Sequence, residues 1–231
     1  MYFCGKLNST MLKKLLLSGA FAIPFFFSAQ ENSTSESKIS IMPSVGYAWR
    51  LAKMPEGITR ETRDYIKGLK SGVDVSISAY YHLKGNGAVG LKYSTYFASS
   101  DGRIAVQGSN GQVVSGFVST KDNITFVGPA YMFSNFKDDT KHKLFYDIAL
   151  GVITYTTKTG TVKGTGSNLG LEANFGYQYA ITDHVFIGPK VGLTGGTLSK
   201  MKYNGTTVEF GEEEREGLTR LSLSAAATFR F

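Results

Sequence analysis

Apolar and polar residues alternate along this chain in twos. In the stretch LTRLSLSAAATFRF (218–231), Leu221, Leu223, Ala225, Ala227, Phe229 and Phe231 take every second position. Arg220, Ser222, Ser224, Ala226, Thr228 and Arg230 fall between them. Side chains of a strand alternate between its faces with that period. One face is therefore wholly apolar and the other small, polar or basic. Such a strand suits hydrocarbon on one side and a polar interior on the other.

The same period recurs upstream and predicts eight strands in all. The first, about 38–51, groups Ile39, Ile41, Pro43, Val45, Tyr47, Trp49 and Leu51 on one face, and Tyr47 and Trp49 near its end fit an interfacial aromatic girdle. Further strands are predicted over about 69–83, 88–98, 123–133, 144–156, 169–181 and 185–198, with 218–231 the last. The sixth alternates most cleanly, with Leu169, Leu171, Phe175, Tyr177 and Tyr179 outward and Glu172, Asn174 and Gln178 inward. Asn86-Gly87 marks a tight hairpin turn, and Thr182-Asp183-His184 a second short turn. Residues 53–68, 99–122, 158–168 and 199–217 read as loops. The second of these contains IAVQGSNGQVVSGFV, which suits an extension of its hairpin beyond the membrane. Long connections thus alternate with mostly short ones, as expected of outer loops and periplasmic turns. Pro43, Pro129 and Pro189 lie inside predicted strands, where each removes a ladder donor. The echo of FVGP (126–129) in FIGP (186–189) suggests bulges or strand ends there.

Composition supports one β domain. There are 27 Gly against 5 Pro, and 13% of residues are aromatic. The mean hydropathy of -0.09 is that of a soluble protein, but lipid-facing and lumen-facing residues of a barrel average out in such a figure. The sustained apolar run, 15–29, follows Lys13-Lys14 and ends in Ser28-Ala29-Gln30, the pattern of a secretory signal peptide. It is too short to span a bilayer comfortably as a helix. We expect a signal peptide over 1–29, cleaved after Ala29, with 1–10 an upstream extension because Met11 is the better start. A flexible lead-in over 30–37 precedes a barrel over 38–231. Cleavage removes Cys4, so no disulfide and no N-terminal lipid is expected. It also removes Lys6, Lys13 and Lys14, which lowers the formal charge from +7 to +4. No basic stripe interleaved with aromatics points to nucleic acid.

A terminal Phe231 preceded by apolar residues at alternate positions, Leu223 and Phe229 among them, resembles the closing strand of outer-membrane β-barrels. The barrel assembly machinery reads that signature. Over 38–231 the chain is similar to the OmpA-like and OmpX-like families of small, eight-stranded, porin-like barrels. The expected fold is thus all-β, an antiparallel up-and-down transmembrane β-barrel of eight strands. The resemblance implies a monomer embedded in outer-membrane lipid and a part in envelope integrity, adhesion or surface interaction through its outer loops. No peptidoglycan-binding domain follows the barrel, so a tether to the cell wall is not expected.

Candidate chemistry lies inside. A barrel of eight strands fills its interior with side chains. The inward ionisable residues are Arg50, Asp74, Lys92, Asp147, Glu172, Lys190, Arg220 and Arg230. Ionisable groups inside membrane proteins are usually paired. Strands eight, one and two become neighbours on closure, which predicts an Arg50–Asp74–Arg220 cluster with Glu172 reaching it or Lys190. These groups either plug the lumen or gate a narrow pore for ions or small solutes. A soluble, lipocalin-like barrel around an apolar ligand is the third reading, with the two faces reversed. His82, His142 and His184 all fall at predicted periplasmic turns, so a base for chemistry on outer-leaflet lipid is misplaced. No enzyme activity, cofactor or metal is expected. Lys163-Gly164-Thr165-Gly166 lacks the spacing of a phosphate loop. The acidic run at 212–214 is expected to be solvated, with binding of divalent ions or a basic partner the alternative.

Overall fold

The computed structural model describes residues 37–231 apart from 53, 55–57, 108–112 and 212–214. The expected leader over 1–29, the lead-in before Ser37 and the acidic run at 212–214 lie outside the described residues.

Strands β1 (Ile39–Arg50), β2 (Ser71–His82), β3 (Gly87–Gln107), β4 (Val113–Ser134), β5 (His142–Thr159), β6 (Val162–Ala180) and β7 (Val185–Leu198) follow in order. A small hairpin, β8 (Lys200–Tyr203) and β9 (Thr206–Glu209), and a short β10 (Glu216–Gly217) precede β11 (Arg220–Arg230). Each long strand pairs antiparallel with the next, β7 pairs with β11, and β11 pairs with β1. The eight long strands form a closed barrel. Closure leaves no sheet edge within the wall, the condition for a sheet in hydrocarbon.

The alternation places the apolar set outward. Leu91 and Leu169 are 66% and 68% exposed, and Ile77, Ile148, Leu150 and Leu193 are also exposed. Ser44, Asp74, Lys92, Asp147, Glu172, Lys190 and Arg220 are buried inside. This polarity is opposite to that of a soluble barrel around an apolar ligand, and it removes the lipocalin-like alternative. Tyr47 and Trp49, both exposed, meet edge to face at 5.4 Å near one rim. Near the other rim, exposed Phe133 stacks on Tyr146 at 5.3 Å, with Tyr81, Tyr131 and Tyr179 also outward.

The two rims differ. Short turns and the meeting of β1 with the end of β11 occupy one, where Ile39 N donates to Phe231 O at 3.1 Å and Phe231 N to Ile39 O at 2.9 Å. Every long connection rises from the other, the outer rim. There the expected loops are largely structured. Strands β3 and β4 run to 21 and 22 residues. Strands β5 and β6 continue through 158–168 to a two-residue turn where Gly160 takes φ 57, a backbone region open to glycine. The stretch Thr154–Thr159, with four threonines and Tyr155, supports that extension.

The loop expected over 53–68 contains helix α1 (Arg60–Leu69). Thr59 caps it by accepting from Thr62 N at 3.3 Å, Glu61 lies in the first turn and Lys67 in the last, each favourable to the helix dipole. Thr62, Tyr65, Ile66 and Leu69 form its half-buried face at helical spacing. Tyr65 O–H donates to Thr120 Oγ1, and Tyr96 O–H donates to the Leu69 carbonyl at 3.0 Å. The helix therefore packs against the inner side of β3 and β4 at the outer mouth.

The three prolines are not bulges or strand ends. Pro43 pairs with Ile77 on β2, while pairing with β11 stops at Ile41–Phe229 and resumes in unchanged register at Ser44–Ala226. Pro129 and Pro189 interrupt the ladders to β5 and β6 in the same way. Each proline lacks an N–H on one side only, so one ladder is lost over two residues and the other continues. Next to Pro129 the walls press together: a Cβ on Gly151 would lie 2.1 Å from Val127 O.

Candidate functional site

The inward faces build three layers. The middle layer centres on Arg220, whose side chain is 1% exposed. Its Nε lies 3.4 Å from Asp74 Oδ1, and its Nη2 lies 3.9 Å from Glu172 Oε2. Nη2 also donates to Ser94 Oγ at 3.0 Å, and that hydroxyl donates to Glu172 Oε2 at 2.6 Å. Lys92 pairs with Asp147 and lies 3.6 Å from Glu172 Oε1. Asn174 Nδ2 ties the carboxylates together, donating to Asp147 at 3.0 Å and Glu172 at 3.3 Å. Lys190 turns aside and donates to Ser76 Oγ at 2.8 Å, beside the Ser44–Ser76 hydroxyl pair at 2.7 Å. Glu172 thus reaches Arg220 and Lys92, while Lys190 makes a hydroxyl contact.

Arg50 does not join that cluster, which corrects the expected grouping. It is the register partner of Arg220 across β1 and β11, but its guanidinium belongs to an outer layer. Nη1 lies 3.4 Å from Asp122 Oδ2, and Nη2 donates to Glu216 Oε1 at 2.5 Å and to the Gly217 carbonyl at 2.9 Å. Its guanidinium sits 5.2 Å from the Tyr155 ring centroid, and Tyr155 O–H donates to Asp122 at 2.9 Å. Two cations side by side repel, so separate carboxylate pairs draw their charges apart. These groups line a cleft of about 600 Å³ with Ile66, Lys70 and Thr219. On the adjoining β8, burial pushes the Tyr203 phenol above its ordinary range, and the Glu216 and Asp122 carboxylates add to that shift.

The third layer closes the short-turn rim. Phe136, from the turn after β4, is 1% exposed and meets Phe145 at 5.9 Å and Phe186 at 5.2 Å. Lys143 and Arg230 lie over the Phe186 ring at 5.2 and 5.7 Å. They donate to the Phe136 carbonyl at 3.3 and 2.8 Å. The wall above is partly apolar within, since Ile124, Phe126 and Ile153 are fully buried.

Between the rims, buried Arg50, Lys92, Lys190 and Arg220 face buried Asp74, Asp122, Asp147 and Glu172. The formal charges of these eight buried groups are equal and opposite. Sequence periodicity missed Asp122, placed at a loop edge, and Glu216 and Phe136, placed in connections. Only a longer reading of the β4 alternation, with Asp122 two positions before buried Ile124, carried a signal for the first. His82 Nε2 lies 3.0 Å from Ser40 Oγ, His184 Nδ1 3.3 Å from Ser37 Oγ and His142 Nδ1 2.7 Å from Tyr177 Oη, all at the short-turn rim. Of the closing-strand residues, Leu223 and Phe231 are exposed on the barrel wall and Phe229 is half-buried.

No family model matches the chain, and no curated protein matches it. Solved structures share its architecture, among them two with a TM-score above 0.5. Neisserial surface protein A is 15% identical with a TM-score of 0.51, over 84% of this chain and 97% of that one. A major outer membrane protein from Thermus thermophilus is 11% identical with a TM-score of 0.51, over 85% of this chain and 100% of that one. At such identities the likeness is one of fold. The chain has the closed fold of the small outer-membrane barrels, and its exposed apolar belt is that of a membrane-embedded wall.

Proposed function

We propose that the chain is a structural and surface-interaction barrel of the outer membrane whose lumen does not conduct. The observation that carries this reading is the charge-balanced middle layer, in which Arg220, Lys92 and Lys190 stand against Asp74, Glu172 and Asp147. An eight-stranded wall encloses an interior narrow enough for its own side chains to fill. The aromatic layer at Phe136 adds a second obstruction. Interaction with a surface ligand falls to the outer rim, where β3 and β4 rise past the last β2 pair, Val73–Phe97. Phe117 on that rise is 74% exposed. The reading is monomeric and non-enzymatic, and it keeps Leu223, Phe229 and Phe231 as the signature for the barrel assembly machinery.

A narrow gated pore is the second reading, favoured by buried donors that have no hydrogen-bond partner among the described residues, Arg220 Nη1 and Gln178 Nε2. Planar-bilayer recording of the wild type and Glu172→Ala separates the two. The plug reading expects no sustained unitary openings in the wild type. Resolved openings that Glu172→Ala alters would overturn it.

A further inference from the structure

The outward face of β4, β5 and β6 carries an arrangement that neither the lumen nor the belt explains. Val127, Val152 and Leu169 share one rung and are the last bulky apolar residues of the belt on these strands. The next rung outward is Thr125, Thr154 and Ser167, and the next is Asn123, Thr156 and Thr165. Above them stand Lys121, Lys158 and Lys163. The register makes Lys158 the direct partner of both other lysines, and all three are exposed. Lys202 on β8 stands beside Thr165, one rung lower, as a fourth exposed cation.

Like charges directly opposite one another across strands destabilise a sheet. Among the described residues none of the three row lysines has an ion-pair partner. The fourth member of the rung, on β3, is Ser99. The nearby exposed acids sit outside the row, Asp101 opposite Ser119 and Glu209 opposite Lys200. A row of this kind is relieved by an anion with several acceptor oxygens.

We propose that this lysine row binds the phosphate of a lipid headgroup whose acyl chains lie on the belt beneath it. Position favours a lipid over a soluble anion. Six residues separate Val152 from Lys158, about 20 Å along a strand and about 15 Å in height at the tilt of such barrels. Lysine stems bend towards a membrane interface by several ångströms. The intervening rungs are hydroxyl and amide groups, suited to hydrogen bonds with a headgroup, and Thr154 and Ser167 already share one at 2.9 Å. Apolar, hydroxyl and cationic tiers therefore follow one another up a single wall, in the order of the parts of a phosphorylated lipid.

The test uses the refolded barrel in phosphatidylcholine nanodiscs, plain or doped with the diphosphorylated glycolipid lipid A, and reads thermal unfolding and lipid retained through purification. Doping is expected to raise the midpoint of the wild type by several degrees. The triple variant K121Q/K158Q/K163Q is expected to retain about tenfold less lipid A, and K84Q/K141Q at the opposite rim as much as the wild type. In plain discs the triple variant is expected to be at least as stable as the wild type, because it loses only repulsion. Should it fold poorly, K158Q alone is expected to show a smaller loss of retention. Equal retention by the lysine variants overturns the proposal, and so does a triple variant less stable in plain discs. Wild-type protection by inorganic phosphate alone, without lipid A, overturns the lipid assignment.

Discussion

Arg50 and Arg220 are opposite one another in register, on the same inward face, yet they serve different regions of the molecule. Arg220 draws every partner from barrel strands: Asp74 on β2, Ser94 on β3 and Glu172 on β6. Arg50 draws Asp122 from β4 but its shortest contact from Glu216, in the connection before β11. The side chains of the first region are all buried, while the Glu216 side chain is 37% exposed. The difference teaches that in a narrow lumen a cation's role follows where its carboxylates stand more than its own height on the wall. One arginine braces the barrel, and the other fastens an outer connection to it.

That contrast sets an order of expected effects. Arg220→Ala leaves buried Asp74 without its guanidinium partner, while Glu172 keeps Lys92, Ser94 and Asn174, and loss of one member of a buried pair costs about 3–5 kcal/mol. Chemical unfolding of the refolded barrel, followed by heat-dependent gel mobility, measures it. A loss below about 1 kcal/mol would erase the distinction between the regions. Arg50→Ala leaves Asp122 buried but returns Glu216 to water, so about 1–3 kcal/mol is expected. It is also expected to speed protease cleavage between 198 and 220, which Arg220→Ala should leave unchanged at equal stability. The smallest effect sharpens the boundary. A double-mutant cycle of Arg50→Met with Asp74→Asn is expected to be additive within about 0.5 kcal/mol, because the two share no partner. The Arg220→Met and Asp74→Asn cycle is expected to couple by about 1 kcal/mol or more. Equal coupling in both cycles would restore a single cluster.

The wall is legible because hydrocarbon imposes a strict period of two on every strand. Leu169, Leu171, Phe175, Tyr177 and Tyr179 declare their face without help from any distant residue. The same period assigns Asp74, Glu172 and Arg220 to the interior, and closure then makes neighbours of the strands that carry Asp74 and Arg220. Alternation says nothing of which way a long side chain leans. Height alone groups Arg50 with Asp74, whereas its guanidinium turns to Asp122. Glu216 and Phe136 enter the lumen from connections, where no period operates. Helix α1 has a readable start at Thr59 and Glu61, but its short half-buried face is masked by mixed charge. The Thr-rich ends of β5 and β6 lack the apolar half of the pattern because they stand above the belt.

The joining of β1 to β11 has a consequence for the order of folding. Every other joint in the wall links long strands that follow one another along the chain, but this seam unites the two ends of the barrel. Its entropy of loop closure must be met before its bonds can form. A chain assembled only as far as β7 is an open ribbon with raw margins at β1 and β7, so the last strand acts as a zip that makes insertion nearly all-or-none. Because the seam brings both barrel ends to one rim, a short linker there and a new opening in an outer connection would yield a permuted barrel with the same wall.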